Sequence, residues 1–118
     1  MSLANPHFKL AERAPHELAN LLENLPPQRV GAKLSGDELL MLNAAIDHAA
    51  NYNNALLDGI EAIGQLLFSA ATNERAPLER STAASVGTLL SALAVQSQYL
   101  QDFTSGAECT LARNGGAA

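Results

Sequence analysis

Between residues 39 and 70, the side chains Leu39, Leu42, Ile46, Ala49, Asn53, Leu56, Ile60, Ile63, Leu67 and Ala70 recur at steps of three and four without an error. A seam of that period runs along one side of an α-helix and is the pattern by which long helices interlock. A strand cannot use it, because strand side chains alternate with a period of two. One member is polar: Asn53, within "AANYNNALL" (residues 49–57). Asn51 and Asn54 fall off the seam and read as solvated.

The seam has a clear start. Ser35 and Glu38 have the spacing of a capping box, in which each side chain satisfies the other's backbone N–H. Asp37 adds a negative charge at the positive end of the helix dipole. Nothing stops this helix before about Thr72. The interior Gly59 and Gly64 cost roughly 1 kcal/mol each relative to alanine.

A second stripe follows the break at "TNERAP". It reads Val86, Leu89, Leu93, Gln96, Leu100 and Phe103, with Leu90 alongside. Its helix is expected over Pro77–Thr104, with Gly106 near its C-cap. This stripe also has one polar interruption, Gln96, with Ser97 next to it. Folding the two helices back on the intervening loop makes residues face each other when their numbers add to about 150, within one helical turn. Asn53 then meets Gln96 and Ser97. A paired buried amide is close to neutral, whereas an unpaired one costs about 1–3 kcal/mol. Such a layer rewards one register over slipped ones.

"APHELANLLENLPP" predicts a short helix over about residues 15–25, with Leu18, Leu21, Leu22 and Leu25 on one face. Pro15 suits its first position, and Pro26-Pro27 ends it. The expected organisation is an N-terminal arm, 1–34, holding that helix and a Pro-rich linker, then a hairpin domain, 35–105, and a flexible tail, 106–118. Residues before the short helix carry no sustained period and read as loose. Composition agrees with an all-α chain: alanine and leucine dominate, tryptophan is absent and aromatics make up 4%.

Two helices of this length leave apolar surface to spare. The second helix carries a flank of Ala45, His48, Tyr52, Ala55, Ala62 and Leu66 besides its seam. The third has no charged residue from Ser81 to Gln101. A water-exposed helix without charge calls for contact on more than one face. Its many Ser, Thr and Gln residues argue against a membrane span. The expected fold is therefore an all-α, long antiparallel helical hairpin plus a short N-terminal helix, completing a four-helix bundle as a homodimer.

Function follows from what is missing. No Glu-x-x-His pair offers a bundle metal site, and no cofactor is expected. Adjacent Asp47 and His48 point about 100° apart on a helix and make no dyad. Cys109 lacks a base nearby in sequence, and no nucleophile elbow surrounds the serines. The chain reads as non-enzymatic. A net charge of −5, with nine acids but only Arg75, Arg80 and Arg113 beyond residue 34, disfavours nucleic acid as a partner. The lone cysteine fits a reducing cytoplasm, and no signal peptide is expected, since the first residues lack an apolar run.

The leading expectation is a protein–protein interaction protein, an adaptor or a regulatory or inhibitory protein, that self-associates through its hairpin. The alternative is a small-molecule-binding bundle with His48, Tyr52, Asn53 and Gln96 as ligand or partner contacts. Asp47, Asp58 and Glu61 form a candidate acidic docking face for a basic protein.

Overall fold

The computed structural model of the protein describes residues 4–25 and 33–115. Among these residues three α-helices follow a 3-10 turn at Ala11–Arg13: α1, Ala14–Asn24; α2, Gly36–Ala71; and α3, Arg80–Arg113. Among the described residues there is no strand. The expected Pro-rich linker falls at 26–32, outside the described residues.

The capping box fixes where α2 starts. Glu38 N–H donates to Ser35 Oγ at 3.1 Å, and Ser35 N–H donates to Glu38 Oε1 at 2.8 Å. From there α2 runs 36 residues to its C-cap at Thr72, as the unbroken period requires. All ten members of its seam are buried or half-buried.

Helix α3 departs from expectation at both ends. It starts at Arg80, not Pro77, because Asn73 organises a longer connection: its Oδ1 accepts from Arg75 N–H and Ala76 N–H, an Asx turn. It also continues past Thr104 through Arg113. Residues 106–113, expected in a flexible tail, form its last turns. Gly106 does not end the helix; Gly115 does, at φ +83°, where a Cβ would be strained. Its N–H donates to Ala112 O at 3.2 Å, closing the C-terminus. Asn114 then ties this end to the beginning of α2. Its Oδ1 accepts from Leu34 N–H at 2.9 Å, while its Nδ2 donates to Thr110 O at 2.8 Å.

The antiparallel hairpin holds the expected register. Ala49, Leu56 and Leu100 share one buried cluster, with Leu93 packed against it. Leu42, Ala107 and Leu111 share a second with Leu25, and Ile46 and Phe103 flank it. The inward line of α3 is Val86, Leu90, Leu93, Ser97, Leu100, Thr104, Ala107 and Leu111, all buried or half-buried. Leu89 is 49% exposed instead.

Helix α1 lies against α2 and presents Leu18 and Leu21 to the first cluster, with Leu22 packed against it. The arm before α1 is laid along α2. Asn5 Nδ2 donates to Leu40 O at 2.8 Å, His7 Nε2 sits 2.8 Å from Asp37 Oδ1, and Phe8 packs on the core. The arm and α1 cover only one end of the hairpin. The last buried residue of α2 is Leu56, and the first of α3 is Ser97. Past that level the two helices project alone in a molecule measuring 61 × 33 × 20 Å.

Candidate functional site

The mid-helix polar layer exists, with one partner changed. Ser97 Oγ donates to Asn53 Oδ1 at 2.5 Å, and Gln101 Nε2 donates to Ser97 Oγ at 3.2 Å. Ser97 is buried and Asn53 half-buried. Gln96 is not part of this layer. It borders an outer groove of α3 shared with Ala84, Gly87, Thr88, Ser91 and Val95. Adjacent helical residues point about 100° apart, so with Ser97 on the inward line Gln96 is turned aside.

His48 and Tyr52 lie on the flank of α2 that faces the arm and α1. His48 is fully buried, and Phe8 covers it with ring centroids 4.7 Å apart at 40°. Neither imidazole nitrogen has a hydrogen-bond partner. Burial pushes its pKa below the ordinary 6.5, against weaker upward pulls from Glu17 and Asp47. Tyr52 is half-buried against the first cluster. The four expected contact residues are thus not brought together. His48 lies beneath the arm, Asn53 is bonded to the opposite helix, and Gln96 opens on another face. Asp47, Asp58 and Glu61 are all exposed along the outer side of α2.

Among the described residues no three His, Cys, Asp or Glu side chains converge as a cation site would require. Cys109 is exposed on α3. A groove between α1 and the start of α2 is bordered by His7, Glu17, Asn20, Asp37, Glu38 and Met41. Its acids are in part committed elsewhere, Glu38 to the helix cap and Asp37 to His7.

The most unusual surface is the projecting half of the hairpin. From Leu57 to Ala71 only Gly59, Ile60, Ile63, Leu67 and Ala70 are half-buried; from Arg80 to Gln96 only Val86, Leu90, Leu93 and Gln96 are. Everything else there is exposed, including Leu66 at 71%, Phe68 at 72% and Val95 at 62%. Ala55, Ala62 and Leu66 continue the flank that the arm and α1 cover at Ala45 and His48, and all three are exposed. Leu66 also lines an apolar depression near the hairpin tip with Ile63, Leu67, Leu78, Val86 and Leu89. Among the described residues no helix is long and apolar enough to cross a membrane.

No protein-family model, no curated protein and no solved structure matches this chain.

Proposed function

We propose that the chain is a non-enzymatic helical interaction protein that self-associates through the half of its hairpin projecting beyond α1. One observation carries the reading. That half keeps Leu57, Leu66, Phe68, Leu89 and Val95 in water, while α3 carries no charge from Ser81 to Gln101. Large exposed apolar surface on a soluble chain marks a place where another surface docks. A helix in water is normally kept soluble by charged residues on its outer face. A second copy offers the same uncharged helix and the same uncovered flank, so closed pairing satisfies both chains at once. The lone Cys109 suits a reducing compartment such as the cytoplasm.

The small-molecule reading has less behind it, because Asn53 and Gln96 lie away from the flank that holds His48 and Tyr52. Amide hydrogen exchange measured against protein concentration tests the preferred reading. Amides of 57–71 and 80–96 are expected to gain protection as concentration rises, while those around Leu18 and Leu42 stay unchanged. Protection independent of concentration throughout would contradict it.

A further inference from the structure

Self-association leaves open which faces meet, and α3 carries a pattern that selects one. Arg80 and Asp102 each lie eleven residues from Ser91, one before it and one after. Eleven residues is about three turns, so all three project within about 20° of a single line. Gly87 and Val95 are likewise four residues either side of Ser91, within about 40° of that line, and Ala84 and Gln98 are seven either side. The line points about 140° away from the Val86–Leu90–Leu93–Ser97 seam, and every residue on it is exposed.

We infer that two copies dock α3 against α3 in antiparallel fashion about a two-fold axis at Ser91. The proposal rests on the self-association reading above and specifies its register. Under that symmetry Arg80 of each chain meets Asp102 of the other, so both ends of the contact carry opposite charges. Neither residue pairs with an opposite charge of its own chain among the described residues. Val95, the largest apolar side chain on the line, meets the partner's Gly87, where nothing lies within 4 Å of a Cβ position. The uncharged stretch from Ser81 to Gln101 is centred on Ser91, so this alignment runs its full length along one face. A parallel arrangement would set Arg80 beside Arg80 and Asp102 beside Asp102, a like-charge penalty at both ends.

The test uses the full chain, with Cys109→Ser wherever a cysteine is introduced. Arg80→Asp and Asp102→Arg are each expected to raise the dimer Kd about tenfold, and the double reversal to restore it to within about threefold. Ser91→Cys is expected to form a cross-linked dimer on mild oxidation far faster than Asn51→Cys on the outer side of α2. A chain that is dimeric by sedimentation, yet indifferent to the reversals and cross-linked equally slowly through both cysteines, overturns this register and leaves self-association standing. A chain that stays monomeric overturns both.

Discussion

Ser97 donates its hydroxyl to the amide oxygen of Asn53 across the hairpin, 44 residues away in sequence. Each is the polar residue in an otherwise apolar stretch of its seam, and together they fix how α2 and α3 slide against each other. At the open end of the hairpin, Leu34 N–H donates to Asn114 Oδ1 at 2.9 Å, a second long-range bond in almost the same register. Two directional bonds separated by several turns hold a seam that apolar packing alone would leave free to slip.

Removing one partner of the first bond should cost more than removing both. Ser97→Ala strands the Asn53 oxygen in a half-buried seam, with an expected loss of about 1–2 kcal/mol. Asn53→Leu combined with Ser97→Ala should return to within about 0.5 kcal/mol of the parent. Urea unfolding of Ser97→Ala, Asn53→Leu and the double variant measures this; additive losses would show that the bond does not act as a unit.

The end of α3 gives a second prediction. Ala107 and Leu111 are buried with Leu42 and Leu25, so a chain cut after Ser105 should lose several kcal/mol, about 3 or more, and loosen α1 as well. Asn114→Ala should cost about 1–2 kcal/mol by leaving Leu34 N–H unpaired. Thermal unfolding that ignored the truncation would mean that these residues contribute no packing.

His48 makes stability depend on pH. Burial holds its folded pKa below 6.5, so the unfolded chain takes up this proton first as the pH falls. The contribution is therefore complete above 6.5 and is lost as the pH drops from there toward the lowered folded value. Unfolding free energy should be smaller at about pH 5.5 than at about pH 8, and His48→Leu should flatten that part of the slope. Because neither ring nitrogen is bonded, His48→Leu should leave stability at the higher pH level or raise it. A slope unchanged by the substitution would place the titration elsewhere.

How much of this was legible in the sequence varies with the kind of signal. The seam of α2 could be read because its steps never falter, and Ser35 with Glu38 marked its start. The partner seam was ambiguous where two like residues stand together. Leu89 and Leu90 are equally apolar, Gln96 and Ser97 equally polar, and the phase of α3 against α2, seen only in three dimensions, decides within each pair. The close of α3 was hidden because Asn114-Gly115 looks like tail composition until Asn114 is seen bonding to Leu34. The cover over His48 was not legible at all. It depends on Phe8, 40 residues earlier, meeting one face of α2 through an arm that shows no period of its own. The exposure of the projecting half was anticipated as surplus apolar surface, though how far α1 would reach could only be seen in three dimensions.

Exposed apolar residues in that half should govern association without governing the protomer's fold. Val95→Glu removes an apolar side chain that is 62% exposed, so monomer stability should change by no more than about 0.5 kcal/mol. Association should weaken at least about tenfold, because the new carboxylate must be desolvated at the contact. Circular dichroism and sedimentation on one sample separate the two effects; a destabilised monomer with unchanged association would contradict the assignment of this face.

The most direct measurement is the mass of the intact chain in solution by sedimentation equilibrium across the micromolar range. A concentration-dependent species of twice the 12.4 kDa chain mass is expected. A single species at the chain mass throughout that range would contradict it.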